Sequence, residues 1–375
     1  MRSNEIQKGL TIVHVIDSLR TGGAEILLKN TVNLLSGHRH VIVYLLPGGE
    51  MAGITGENVE FVCLHHKGWG SLPATVRKLR AVIRKERASL VHSHLIVSTF
   101  ITRLAIPRST PLVSTIHSTL SIDAFEKNRL SLWAERLTLR DRHVLVGVSH
   151  FVLEDYLAFV RFSGRKYVLY NFIPDSFFNY TPAPKPQSGT LRCVAVGNLK
   201  EAKNYAYLLE VMEHCKEQKI QLDIYGEGYL RGALQQKIDE AGLPVRLCGS
   251  SSELKGLLTQ YDLFMLASHQ EGFGISVVEA IALRLPVFIS NIKVFEEVTG
   301  GHAHYFPLND SRSAGDLLCR LADDKDFRAK HVDAAYDYCK TLYNQAAYRE
   351  RIVRIYRDVV SGGSAASPVP ADALA

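Results

Sequence analysis

Short apolar runs of strand length alternate with helix-spaced patterns along most of this chain. Leu10–Ile16, Val41–Leu46, Glu60–Leu64, Leu90–His94, Leu112–Ile116 and His143–Val148 read as strands. Ala24–Leu35, Leu72–Ala88, Phe125–Arg140 and Phe151–Val160 read as helices between them. Such alternation favours a parallel sheet covered on both faces, because each return to a parallel strand needs a crossover and the crossover helix buries the sheet. At Thr181–Thr190 the rhythm stops: TPAPKPQSGT carries three prolines and no apolar periodicity, a linker composition. It resumes with strands at Leu191–Val196, Gln221–Tyr225, Val245–Cys248, Asp262–Leu266 and Pro286–Ser290. Helices at Tyr205–Lys216, Tyr229–Ala241, Glu253–Gln260 and Ser276–Leu283 fill the gaps, and a helical end runs from about Ser313 to Val359.

The expectation is therefore α/β, with two Rossmann-like, doubly wound domains of similar size: residues 1–180, a linker at 181–190, and 191–345. A length of 375 residues is too great for one ordinary domain and comfortable for two. Residues 361–375 are mostly Gly, Ser, Ala and Pro and are expected to be disordered. In several enzyme classes two such domains face each other across a cleft. Ligands of doubly wound sheets bind at the carboxyl ends of strands, near helix N-termini.

Charge is uneven. Residues 1–180 hold 22 Lys+Arg against 14 Asp+Glu, a net +8; with 44 and 38 in the whole chain, the remainder holds 22 against 24, a net −2. A basic first half suits an anionic partner, or simply solvated basic helices. No stretch approaches the roughly 18–20 apolar residues that span a bilayer. Met1–Leu10 carries Arg2, Glu5 and Lys8 and no apolar signal core. The six cysteines form no CxxC pair, which points to free thiols in a reducing cytoplasm.

Four glycine-containing clusters fall at strand ends. Gly22-Gly23 opens the first helix, where free amides can meet an anion; a tight turn reads equally well. Gly197-Asn198-Leu199-Lys200-Glu201-Ala202-Lys203 leaves a strand, and Lys200 or Lys203 could neutralise a diphosphate. Tyr225-Gly226-Glu227-Gly228 could let a flat ring slide against the backbone, or could be a turn. Glu271-Gly272-Phe273-Gly274-Ile275-Ser276-Val277-Val278-Glu279 is the strongest. Two glycines there build an amide-rich loop before a helix, with Glu271 in the loop and Glu279 about one turn into the helix. Two carboxylates flanking such a turn suit the diols of a ribose and of a sugar.

These segments together resemble a family 4 glycosyltransferase of the GT-B fold nearly from end to end. The family's E-G-F-G-x-x-x-x-E signature is matched by Glu271 through Glu279, and its Gly-Gly after the first strand by Gly22-Gly23. Its G-R-L-x-x-x-K segment is matched by Gly197, Leu199 and Lys203, with one departure: Asn198 stands where the usual arginine binds phosphate. Its strand-end histidine is matched by His117, followed here by Ser118 rather than the frequent aspartate. Val148-Ser149 and Asn171 to Pro174 also resemble family segments. The resemblance implies that Glu279 holds the ribose. Glu271, the amides of Phe273 and Gly274, and Ile275 meet the donor sugar. Lys203 and the Gly22-Gly23 amides neutralise the departing diphosphate, and His117 lies near the reacting carbon. It implies a retaining transfer without a metal cofactor, and a last helix, 346–360, that crosses back to the first domain.

No metal is expected from the residues either. Asp324-Lys325-Asp326 is formally D-x-D but lies in a polar run, and reads as a helix start. His92 and His94 share a strand face and could pair on a metal, but no third ligand with suitable spacing is evident. The donor expected is a UDP-sugar, and the acceptor a glycan or lipid-linked saccharide of surface polysaccharide synthesis. Two basic stretches, Arg77–Arg87 and Arg129–Arg142, could touch an anionic membrane surface, or could be core-facing stripes with a solvated basic side. Such a protein would be cytoplasmic or peripheral on the inner membrane face. No basic-aromatic motif points to nucleic acid. Two other readings remain: a nucleotide-sugar epimerase on the same scaffold, and a non-catalytic nucleotide-sugar-binding protein, which Asn198 and Ser118 favour.

Overall fold

The computed structural model describes residues 9–20, 22–49, 53–54, 58–121, 126, 128–181, 189–251 and 253–362. All but the first two residues of the expected tail (361–375), most of the expected linker (182–188 of 181–190) and the first eight residues lie outside them. The chain divides into two compact units: the residues up to Asn171 together with those from Gln345 on, and Phe172–Asn344.

The first unit is built on a seven-stranded sheet in the order β3-β2-β1-β4-β5-β6-β7. Its strands are β1 (Thr11–Ile16), β2 (Arg39–Tyr44), β3 (Val59–Cys63), β4 (Leu90–His94), β5 (Leu112–Ile116), β6 (Val144–Gly147) and β7 (Arg165–Val168). All pairings are parallel. Central strands are buried on both faces, as the unbroken apolar runs require; Ile12, Val13, Val15 and Ile16 are all fully buried. The strand order reverses between β1 and β4. The helix Gln345–Val360 packs in this unit, with Tyr348 Oη 2.9 Å from Thr31 Oγ1 and Tyr356 Oη 2.7 Å from His92 Nδ1.

The second unit carries a six-stranded parallel sheet, β10-β9-β8-β11-β12-β13. The strands are β8 (Leu191–Val196), β9 (Ile220–Tyr225), β10 (Val245–Gly249), β11 (Leu263–Leu266), β12 (Val287–Ser290) and β13 (His304–Phe306). Here the order reverses between β8 and β11. The chain enters this unit at Phe172 rather than after a boundary at 180. Phe177 and Phe178 are buried, and Tyr336 Oη donates to the Phe178 carbonyl at 2.8 Å. Burying two phenylalanines outweighs the pull of the neighbouring linker composition. Asp324 caps the helix Lys325–Ala329, its Oδ1 accepting from Phe327 N at 2.8 Å.

Candidate active site

In the second unit the loops that leave β8 and β11 emerge side by side where the strand order reverses, the position at which doubly wound sheets bind ligands. The two loops are tied together. His269 N donates to the Ala202 carbonyl at 3.0 Å, and Lys203 Nζ forms an ion pair with Glu271 Oε1. Ser268 Oγ donates to the same carboxylate oxygen at 2.8 Å, and Ser290 Oγ, at the end of β12, donates to the Ser268 carbonyl at 2.7 Å. Lys203 and Glu271 side chains are 14% and 12% exposed, so the pair is largely withdrawn from water yet still reachable. Lys200, its alternative, is exposed, as is Asn198. Tyr205 Oη holds the Gly197 carbonyl at 2.9 Å, which fixes the start of the lysine loop.

Gly226 and Gly228 are required by close packing of backbone on backbone, in line with the turn reading of this segment. A Cβ on Gly226 would lie 2.0 Å from the Gly197 carbonyl oxygen, and one on Gly228 2.3 Å from that of Leu199. The space is filled by the β8 loop, whose Gly197 N and Leu199 N donate to the carbonyls of Tyr225 and Glu227, both at 2.9 Å. These glycines let the two loops clasp.

Gly274 caps the helix Ile275–Ala282 in the left-handed region (φ 84°), with a Phe295 ring carbon 2.7 Å from where a Cβ would sit. A side chain there would be both strained and overlapping. Phe273 is buried edge-on against Tyr343, ring centroids 5.0 Å apart. Glu279 lies on the fifth residue of this helix, half-buried, and desolvation raises its carboxyl to about 7. A carboxylate kept short of water is what a diol can repay with two hydrogen bonds.

In the first unit the corresponding reversal lies between β1 and β4. A cavity of about 260 Å³ there is lined by Asp17, Leu95, Thr99, Arg103, His117 and Glu135, among others. Asp17 Oδ1 accepts from Ser98 N at 2.8 Å, and Leu95 adopts φ 66°, a strained value for leucine that turns the chain from β4 into the helix Ile96–Ala105. Arg103 and Glu135 form a buried ion pair at 2.5 Å, with Tyr156 Oη donating to Glu135 at 2.8 Å. His117 is half-buried, 3.1 Å from His94 Nδ1, and burial pushes it down to about 4, so its ring is neutral at ordinary pH. The helix Gly23–Leu34 starts after Gly22, but its own Glu25 carboxylate curls back: a Cβ on Gly22 would meet Glu25 Oε2 at 2.5 Å. An anion reaching the Gly22-Gly23 amides must displace that carboxylate. Asp17, Leu95, Arg103 and Glu135 were not singled out from sequence; the one available signal was that Asp17 follows the first strand directly.

Residues 21–177 match the model of glycosyltransferase family 4, and residues 180–338 that of glycosyl transferases group 1. The phosphatidylinositol N-acetylglucosaminyltransferase GPI3 subunit of Saccharomyces cerevisiae is 24% identical over 328 residues, 81% of this chain and 71% of the yeast subunit. The O-antigen biosynthesis glycosyltransferase WclY of Escherichia coli is 22% identical over 370 residues, 94% of this chain and 100% of WclY. The crystal structure of Anabaena HepE in complex with UDP and glucose superposes with a TM-score of 0.77 at 16% identity, over 93% of this chain and 99% of that one. The two family models meet almost end to end and the fold agrees along the chain, which therefore belongs to the GT-B glycosyltransferases of the family 4 type.

Proposed function

We propose that this glycosyltransferase moves a sugar, with retention of configuration, from a UDP-sugar to a glycan or lipid-linked saccharide in glycoconjugate synthesis, and needs no metal to do so. The observation that carries the reading is the Lys203–Glu271–Ser268 contact set at the strand-order reversal of the second unit. A fixed cation and a fixed carboxylate at the strand-order reversal support the reading, because doubly wound sheets bind their ligands there. Glu279 would hold the ribose. Glu271, with the Phe273 and Gly274 amides and Ile275, would hold the sugar. Lys203 would neutralise the diphosphate as it leaves, the task a metal performs in other transferases. Charge placed in advance at a developing anion needs no reorganisation during the reaction, so it favours the transition state over the ground state. The roles that the resemblance implies for Gly22, Gly23 and His117 of the first unit are proposed with these. Gly197 would shape the phosphate loop beside Asn198. HepE's complex with UDP and glucose supports the donor class, and WclY's O-antigen assignment the acceptor class.

Nucleotide release from a panel of nucleotide-sugars, with wild type and Glu271→Ala, tests the reading. Release from one donor, abolished by the substitution, is expected. Conversion of a donor to its isomer without acceptor would instead mark an epimerase, and nucleotide binding without turnover a non-catalytic binder.

A membrane surface is proposed as a further partner, and the two basic stretches now separate. In the helix Leu72–Lys85 the apolar residues Leu79 and Ile83 are buried, so this one is a core-facing helix with a basic outer side. In the helix Arg129–Thr138, Leu130, Trp133 and Leu137 are 75%, 63% and 55% exposed, next to exposed Arg129 and Arg140. Apolar residues at i, i+3 and i+7 beside arginines suit an anionic bilayer interface. Among the described residues no helix is long and apolar enough to cross a membrane.

A further inference from the structure

One face of the first unit's sheet carries an unusual load of buried imidazole. His14 on β1 pairs in register with His92 on β4, and His94 follows two residues later on the same face. The three are 0%, 2% and 3% exposed, and one ring nitrogen of each lies within 4.8 Å of the others. The hydrogen bonds around them decide which nitrogens are available. His40 Nε2 faces the Leu35 carbonyl at 3.0 Å. A carbonyl only accepts, so a neutral His40 carries its proton on Nε2 and accepts at Nδ1. His14 Nε2, 3.1 Å from that Nδ1, must then be the donor. This leaves His14 Nδ1 as a bare lone pair, buried and without a partner among the described residues. His94 Nδ1 is 3.1 Å from His117 Nε2, and His94 Nε2 is likewise buried without a partner. His92 is held at both nitrogens, but only by hydroxyls: Tyr356 at Nδ1 and Thr115 at Nε2, each at 2.7 Å. Either hydroxyl can turn away and release a lone pair.

We propose that His14 Nδ1, His94 Nε2 and one ring nitrogen of His92 bind a single zinc-class divalent ion that ties β1 to β4 and lies directly behind His117. Three imidazoles suit zinc and its neighbours. Zinc–nitrogen bonds of about 2.0–2.1 Å put tetrahedral ligands roughly 3.4 Å apart, so nitrogens within 4.8 Å of one another need to close by at most about 1.4 Å. Water that ionises readily on the metal takes the fourth position and offsets part of its charge. The other ring nitrogen of each ligand is held by a hydrogen-bond partner that fixes the orientation of the ring. His14 donates to His40, itself anchored on the Leu35 carbonyl; His94 donates from Nδ1 to His117; His92 keeps one hydroxyl. The ion would crosslink β1 and β4; where Thr115 is the hydroxyl that turns away, Tyr356 stays on His92 Nδ1 and the site also seats the helix Gln345–Val360.

The test uses the untagged full-length chain, stripped with a chelator, then given zinc sulfate or cobalt(II) and passed through a desalting column. Close to one ion per chain is expected to remain. The cobalt form should show the intense visible absorption of four-coordinate cobalt, and zinc should raise the melting temperature of the stripped protein by several degrees. His14→Leu should lose the ion and the zinc-dependent shift. A wild-type chain that retains no ion and whose melting temperature ignores both zinc and chelator would overturn the proposal, and would mean that a shared proton or a trapped water joins the imidazoles. Retention of an equal amount by His14→Leu would overturn it as well. The cobalt spectrum of the wild-type chain decides the matter even if that variant fails to fold.

Discussion

Glu279→Gln is expected to make the unliganded protein more stable while weakening its grip on nucleotide. The cause is the desolvation that lifts this carboxyl from 4.5 to about 7. In the unfolded chain the group ionises near 4.5, whereas in the fold it keeps its proton up to about 7. Between those values the native state binds more protons than the unfolded state, so stability falls as pH rises through the window and is fully reduced above it. At about 1.4 kcal/mol for each tenfold change in proton affinity, the reduction is about 3 kcal/mol. Glutamine carries no charge to desolvate, so the variant should gain up to that amount at pH 8 and almost nothing near pH 4.5. For a domain of this size that is a rise of roughly 6–12 °C in the melting temperature of the second unit at the higher pH. Losing a charged acceptor should cost about 1.5–3 kcal/mol in nucleotide affinity, or tenfold to hundredfold in Kd. Thermal unfolding at the two pH values, with calorimetric titration of UDP, measures both. A variant no more stable than wild type at pH 8 refutes the desolvation argument. One that is stabilised but binds nucleotide unchanged refutes the ribose assignment.

Four further outcomes are expected. Asn198→Arg should restore a charged phosphate ligand in an exposed loop position and tighten UDP binding by roughly tenfold, read by titration calorimetry. Ser268→Ala removes one of the two donors on Glu271 Oε1 and should lower kcat/KM by about fivefold, the equivalent of about 1 kcal/mol; a loss as deep as that of Glu271→Ala would show that Ser268 does more than position the carboxylate. Gly226→Ala drives a Cβ into the Gly197 carbonyl oxygen and should destabilise the second unit by about 1–3 kcal/mol in urea unfolding. The double variant Arg129→Gln/Arg140→Gln should reduce partitioning onto vesicles containing anionic lipid by about 30-fold, at about 1 kcal/mol per arginine, and leave binding to zwitterionic vesicles unchanged.

The interior of each sheet was readable because its strands are buried on both faces and their apolar runs are unbroken. β4, β5 and β8 fall on the expected residues, Leu90–His94, Leu112–Ile116 and Leu191–Val196. What escaped has identifiable causes. β7, Arg165-Lys166-Tyr167-Val168, is an edge strand with no fully buried residue, and β13 is a three-residue edge, so neither carries an apolar run. The helix Ile96–Ala105 follows β4 with almost no loop, and its Ile, Val and Thr residues favour strand. Tertiary packing overrides that preference, burying Ser98, Thr99, Ile101, Thr102 and Arg103 together.

Sites are harder to read than strands because their members come from separate crossings of the sheet. Glu271 and Glu279 were visible together because one loop and one helical turn hold both. Lys203 meets Glu271 across 68 residues only because β8 and β11 lie side by side where the strand order reverses. His14 joins His92 and His94 by the same device, the β1–β4 adjacency of the first unit. Local spacing sees the two histidines that share a strand and misses the third, which register supplies. Asp17 and Ser98, 81 residues apart, meet for the same reason. In a doubly wound sheet the strands on either side of the reversal are the pair whose order along the chain least suggests that they touch. They are also the pair whose loops form the binding position. The residues that matter most for chemistry are thus the ones that local periodicity is least able to bring together, and strand order is what joins them.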